Sequence, residues 1–140
     1  MKRKDIRIRL AKNDDGDAVA LLMKKLDFFQ WSDWAIDWHD LEPNWLVAEV
    51  NGTVVGAIQV IPDRPIGRME ILTVDPDLSL MMRGAVVLML TDQAAATCRL
   101  YGSQAVSSLI PYSYPVYLGE AQNRQWVDLD EGTIIMKRLV

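Results

Sequence analysis

The chain is short of the residues from which most metal and redox sites are made. Among 140 residues it has one cysteine, Cys98, and one histidine, His39. A lone cysteine excludes an intramolecular disulfide, and one Cys with one His cannot supply the clustered ligands of the usual zinc patterns, so no metal is expected. Cys98 reads as a small side chain buried on the inner face of a helix rather than as a nucleophile. No apolar run approaches the roughly 18 residues of a membrane span. The start, Met1-Lys2-Arg3-Lys4, leads into Asp5 and not into an apolar signal core. A cytoplasmic protein without membrane contact is the expectation. Repeats, low-complexity tracts and linkers are missing too, and the length suits one domain over residues 1–140.

Charge is also missing in places. Residues 27–49 carry Asp27, Asp33, Asp37, Asp40, Glu42 and Glu49 with no Lys or Arg, whereas residues 1–12 carry Lys2, Arg3, Lys4, Arg7, Arg9 and Lys12 against Asp5 alone. The basic end reads as a solvated strand edge where lysines discourage unwanted pairing, and no nucleic-acid partner is expected.

What is present is strong secondary-structure patterning. Ile6, Ile8 and Leu10 alternate with Arg7 and Arg9, as in a strand with one solvated face. Asn13-Asp14-Asp15-Gly16-Asp17 offers N-cap chemistry for a helix running to Leu26. Trp31, Trp34 and Trp38 recur at helical spacing beside Asp33, Asp37 and Asp40, so a second helix with an aromatic and an acidic stripe fits residues 28–40. The tryptophans are either core or the wall of a pocket. Trp45–Val50 and Thr53–Ile61 read as strands joined at Asn51-Gly52, a dipeptide that supplies the positive φ angles of a two-residue hairpin turn. Pro62 and Pro65 bracket the next connection.

The stretch 67–102 organises the rest. Arg68 to Val74 alternate, with Met69, Ile71 and Thr73 on one side and Glu70, Leu72 and Val74 on the other, and Pro76 stops the strand. After a loop, residues 84–99 place Val87, Leu88, Leu90, Ala94, Ala95 and Cys98 at helical spacing, with Gly102 as the stop. A helix starting just past a strand's carboxyl end is a ready anion site, because its first amides lack internal partners. Residues 105–110 form a further strand, residues 112–122 a short helix, and 126–129 with 133–139 a closing hairpin.

This order resembles the GNAT superfamily of N-acetyltransferases over nearly the whole chain. Ile8-Arg9-Leu10-Ala11-Lys12 with Asp15 resembles its opening, Trp45 to Val60 with Asn51-Gly52 and Gly56 its second and third strands, Ile71 to Pro76 its fourth, and Met136-Lys137-Arg138-Leu139 its ending. The resemblance implies an α/β (α+β) fold: a mixed, mostly antiparallel sheet of about seven strands flanked by helices, with strands 4 and 5 splayed. It implies acetyl-coenzyme A as co-substrate and direct acetyl transfer to an amine of a small or peptide acceptor. The alternative is a GNAT-like domain without activity, serving as a binding or assembly module. A homodimer is left open.

Residue by residue, the resemblance implies that amides of Leu72, Thr73 and Val74 hold the pantetheine arm and polarise the acetyl carbonyl. The diphosphate falls to Ser79, Met82, Arg83 and Gly84 at the start of the following helix. Here the chain departs from the family, whose loop runs Gln or Arg, two residues, Gly, one residue, Gly or Ala. Ser79 stands at the first position, Met82 at the first glycine, and only Gly84 matches. Met82 puts a side chain where backbone should approach phosphate, and Arg83 offers a compensating cation. Glu70 is the candidate base and Tyr117 the candidate acid, with Tyr114 and Tyr112 behind it; His39 is a second base or a surface histidine. Trp31, Asp33, Trp34 and Asp37 line the acceptor side, where carboxylates beside indoles favour a cationic amine.

Overall fold

The computed structural model describes residues 2–26, 38–109, 127–128 and 134–138. Its elements are β1 (Ile6–Leu10), α1 (Gly16–Leu26), β2 (Trp45–Val50), β3 (Thr53–Ile61), β4 (Ile66–Val74), α2 (Leu80–Leu100), β5 (Ala105–Leu109), β6 (Val127–Asp128) and β7 (Ile134–Arg138). Short 3-10 turns occupy Arg3–Asp5 and Asn13–Asp15. The strands form a seven-stranded sheet in the order β1-β2-β3-β4-β5-β7-β6. β4 and β5 pair parallel, whereas β1–β2, β2–β3, β5–β7 and β6–β7 pair antiparallel. The expected mixed, mostly antiparallel sheet is therefore found. Two compact units divide the chain: Met1–Gln59 with Ile71–Ala94, and Val60–Glu70 with Ala95–Val140. No helix among the described residues is long and apolar enough to cross a membrane.

In the first unit the hairpin turn is as the sequence demands. Asn51 and Gly52 both take positive φ, 51° and 82°, and Val50 pairs with Thr53 across a two-residue loop. One residue of β3 is then left over. Ala48 faces Gly56 and Glu49 faces Val54, so Val55 bulges from the ladder, and its carbonyl accepts the Asp75 amide at 2.8 Å. Val47 and Ala57 pair on the face that packs with Ala11, Val19, Met23, Leu41 and Trp45. On the other face Gly56 lets α2 come close, since a Cβ there would stand 2.7 Å from Val86 Cγ1 and 3.1 Å from Leu90 Cδ1.

The edge strand β1 departs from simple alternation. Leu10 is 61 % exposed, and the residue that turns into the core is Ala11, whose amide continues the pairing by donating to the Trp45 carbonyl. Arg9 is drawn inward instead of solvated. Its Nη atoms donate to both Asp15 oxygens at 2.8 and 2.9 Å, and Nε donates to Glu49 at 3.0 Å. The Arg9 guanidinium holds the Asp15 carboxyl below its usual range, and the two carboxylates raise Arg9 in turn. Asn13, expected to cap α1, serves a longer-range purpose: its Oδ1 accepts the amides of Leu41 at 2.9 Å and Glu42 at 3.0 Å.

In the second unit β4 and β5 run in register from Ile66↔Ala105 to Met69↔Ser108 among the described residues. Gly67 lies under the end of α2, where a Cβ would be 2.7 Å from Cys98 Sγ and 2.9 Å from Ser103 Oγ. Cys98 is free and fully buried, as expected, and burial pushes its thiol up from the ordinary value. The helix closes on Gly102 with φ 92°. The Ser103 amide donates to Cys98 O and the Gly102 amide to Arg99 O, both at 3.0 Å, which is a complete Schellman motif. Ser103, itself buried, donates its hydroxyl to Asp63 O at 2.6 Å.

One boundary differs from the sequence reading. α2 begins at Leu80, not Gly84, and its buried stripe is Met82, Ala85, Val86, Leu90, Ala94, Ala95 and Cys98, with Val87 and Leu88 only half buried. The closing hairpin is present as Val127↔Met136 and Asp128↔Ile135. The expected helix over 28–40 lies outside the described residues except for its end, where Trp38 and His39 form a turn, and the short helix over 112–122 lies wholly outside them.

Candidate functional site

The strand that leads to the site does not alternate to its end. Ile71 takes φ 55°, a left-handed conformation that costs a β-branched residue on the order of 1–3 kcal/mol and persists only where surroundings enforce it. Its side chain packs against the cluster of Ala11, Val19, Met23, Leu41, Trp45, Val47 and Ala57, which supplies that enforcement. The burial rhythm breaks accordingly. Gly67 and Met69 are buried alternately, Glu70 to Leu72 are half exposed, and Thr73 and Val74 are buried in succession. The expected pairing of Met69, Ile71 and Thr73 on one face therefore fails at Ile71.

Beyond the kink, Thr73 is committed to structure: it is 1 % exposed, and its hydroxyl donates to the carbonyls of Ala57 and Ile71, each at 3.4 Å. Leu72, Thr73 and Val74 thus offer main chain, not functional groups. The turn that follows is anchored at several points. The Asp75 carboxylate accepts the Asp77 amide at 3.0 Å, an Asx turn, and Lys25 of α1 reaches Asp75 at 3.3 Å and Asp77 at 3.1 Å. Hydrogen bonds that the Lys25 ammonium donates to Asp77 first, then to Asp75, raise it above its ordinary value.

Ser79 is the N-cap of α2. Its Oγ accepts the Met82 amide at 3.2 Å while its carbonyl accepts the Arg83 amide at 2.9 Å. Met82, Arg83 and Gly84 therefore belong to the first turns of the helix rather than to a loop. Met82 is only 6 % exposed and belongs to the buried residues of α2. A side chain added at Gly84 would meet nothing within 4 Å. Arg83 Nε is buried with no hydrogen-bond partner, the sole such side-chain nitrogen or oxygen found among the described residues. A buried guanidinium nitrogen without a partner carries a desolvation cost. Leu80 and Met81, at 75 % and 82 % exposure, flank the cap on the outside.

Glu70 sits immediately before the kink. Arg68 Nη1 lies 3.4 Å from its carboxylate, and Arg68 Nη2 lies 3.7 Å from Asp63. His39 is exposed, in a turn beside Trp38, whose ring meets Trp45 edge-on at 6.1 Å. Tyr117, Trp31, Asp33, Trp34 and Asp37 lie outside the described residues. Among the described residues no group of three or more His, Cys, Asp or Glu is placed to hold a metal ion. Of the expected positions, Leu72 to Val74 and Ser79 to Gly84 fall together in the first unit, and Glu70 closes the β4 segment of the second. Sequence reading missed Lys25, Asp75 and Asp77 as the anchors of the connection, and a Ser three residues before Met82 was a legible capping signal.

No protein-family model matches the sequence, and no curated protein matches it. Solved structures match over nearly its whole length. A GNAT-family acetyltransferase from Staphylococcus aureus MU50 superposes with a TM-score of 0.76 at 13 % identity, covering 96 % of this chain and 99 % of that one. The fold is that of the GNAT acetyltransferases. Ard1 from Thermoplasma volcanium gives 0.73 at 16 % identity, over 97 % and 99 % of the two chains. The PaiA N-acetyltransferase from Thermoplasma acidophilum, solved in complex with coenzyme A, gives 0.70 at 13 % identity, over 95 % and 98 %. Within the GNAT fold of this chain, the kinked β4, the anchored turn and the capped start of α2 stand in unbroken succession from Ile71 to Gly84.

Proposed function

We propose that this chain is a single GNAT domain over residues 1–140 that transfers the acetyl group of acetyl-coenzyme A to an amine. The observation that carries the reading is the unpartnered Arg83 Nε in the first turn of α2, next in sequence to Gly84, where an added side chain would meet nothing within 4 Å. These residues suit a diphosphate. With α2 starting at Leu80, the amides of Leu80 and Met81 lack helical partners, Met82 is buried, and the helix N-terminus favours negative charge. The complex of the Thermoplasma acidophilum neighbour with coenzyme A supports the same ligand class here.

Bound acetyl-coenzyme A supplies an activated acetyl group as a thioester. Main-chain amides of Leu72 to Val74 orient the pantetheine arm and polarise the acetyl carbonyl, and Ser79, Met82, Arg83 and Gly84 hold the diphosphate end. Glu70 accepts a proton from the acceptor amine as its nitrogen bonds to the carbonyl carbon. The carbon–sulfur bond breaks, and Tyr117 returns a proton to the departing thiolate, so that the products are an N-acetylamine and free coenzyme A. Trp31, Asp33, Trp34 and Asp37 face the acceptor in this scheme.

Thiol release from acetyl-coenzyme A in the presence of amines tests it. Wild type is expected to release thiol with an amine and not with the matching alcohol, and Glu70→Gln to slow the reaction by about a hundredfold. Thiol release unaffected by Glu70→Gln removes Glu70 from the scheme, and none with any amine favours the second reading. That second reading, an assembly module of the same fold, draws on the exposure of Leu80 and Met81, an apolar pair at the helix start.

A further inference from the structure

The β4 segment of the second unit has two unlike faces. Gly67 and Met69 are buried, with Gly67 pressed against Cys98 and Ser103. Ile66 and Arg68 on the opposite face are exposed, and Glu70 is half exposed. Arg68 and Glu70 stand two residues apart on one side of the strand, so their Cα atoms are about 7 Å apart. Ser107 of β5 is the register partner of Arg68 and presents a half-buried hydroxyl on the same side. This face therefore carries a cation, an anion and a hydroxyl directly before the Ile71 kink.

We propose that Arg68 and Glu70 together recognise a zwitterionic acceptor, a free α-amino acid. Its carboxylate binds the Arg68 guanidinium and its amino group meets Glu70. The proposal rests on the acyl-transfer reading and names the acceptor class for it.

The resting contacts of Arg68 are loose. Nη1 approaches one Glu70 oxygen at 3.4 Å and Nη2 approaches Asp63 at 3.7 Å, neither in the parallel two-bond geometry that a guanidinium makes with a carboxylate at 2.7–2.9 Å. A guanidinium has five donors, and these contacts engage few of them. The pair is also half exposed, so solvent screens it and opening it to admit a ligand costs little. An α-amino acid matches the pair, because its ammonium and carboxylate are both bonded to one carbon and engage the two neighbouring side chains once their 3.4 Å contact opens. Charge favours an acceptor that brings its own carboxylate. Arg68 is permanently cationic, and an amine that took Glu70 from it would leave only the 3.7 Å contact with Asp63 to balance that charge. The acceptor's carboxylate takes the place Glu70 gives up.

Calorimetric titration of the full-length protein with common α-amino acids, and with the matching amino-acid amides that lack the carboxylate, tests the assignment. At least one amino acid is expected to bind, with its amide weaker by about tenfold or more. Arg68→Gln is expected to erase that difference, Arg68→Lys to restore part of it, and both variants to keep the wild-type thermal shift with coenzyme A. Amides binding as well as the acids, a preference that survives Arg68→Gln, or no binding by any amino acid at millimolar concentration each overturns the proposal. The two readings fail separately. A protein that shows no thermal shift with coenzyme A and no thiol release fails as an acyltransferase, whereas the amino-acid titration judges Arg68 without any acyl donor.

Discussion

The two ends of α2 are built to different standards. At the carboxyl end every feature is closed: Gly102 takes the left-handed turn, Ser103 and Gly102 donate to the helix carbonyls, and Gly67 lets Cys98 seat without a gap. At the amino end one serine hydroxyl caps one amide, an arginine nitrogen is buried without a partner, and nothing would touch a side chain at Gly84. Helix ends leave the same number of unsatisfied groups on each side, so the contrast is not a property of helices. One end is completed by the protein's own groups, and the other is the end to which the proposed function assigns the diphosphate.

Substitutions at the closed end are expected to cost stability and leave ligand binding alone, and those at the open end to do the reverse. The largest effect is expected from Gly67→Val, whose added carbons collide with Cys98 and Ser103, for a loss of about 1–3 kcal/mol. Chemical denaturation reads that loss, and the coenzyme A affinity of the folded fraction should be unchanged. Arg83→Met is the counterpart. It removes a buried unpaired nitrogen, so stability should hold or rise, while coenzyme A binding weakens by about tenfold, about 1.4 kcal/mol. If Arg83→Met destabilises the protein and leaves binding intact, the amino end is structural and the contrast fails. Ser79→Ala is the exception at the open end, because it touches both quantities. Losing the cap costs about 1 kcal/mol, and losing a hydroxyl assigned to the diphosphate should also weaken coenzyme A binding.

The smallest effect lies away from both ends and serves as a reference. Arg9 holds the Asp15 carboxyl below its unfolded value, so this ion pair contributes stability above the unfolded carboxylate range, and the contribution is lost as pH falls through the lowered folded value. Denaturation midpoints of wild type should therefore decline on acidification more steeply than those of Asp15→Asn. Equal slopes would show that the pair is not coupled to folding. Neither protein should change its coenzyme A affinity at neutral pH relative to the other.

Local chemistry was legible in the sequence, and distant partnership was not. Asn51-Gly52 and Gly102 announce their turns because each needs positive φ and the chain supplies residues that tolerate it. The strands announce themselves by alternation. Ile71 gives no such sign, since isoleucine is a poor choice for a left-handed conformation and is held there by residues far away in the chain. Arg9 read as a solvated strand residue because Asp15 and Glu49 converge on it only in the fold. Lys25 is invisible for the same reason, its partners Asp75 and Asp77 being brought to it by the sheet. Met82 depends on a boundary instead. Read as part of a loop it is an obstruction, but with α2 starting at Leu80 it is a buried residue of the helix's first turn.

A thermal-shift titration with acetyl-coenzyme A and with coenzyme A tests the open end of α2 most directly. At a hundredfold excess over the dissociation constant, binding should add about 2.7 kcal/mol to the folded state and raise the melting temperature visibly. An unmoved melting temperature with both ligands, at concentrations up to the millimolar range, would contradict the assignment of that end as a diphosphate site.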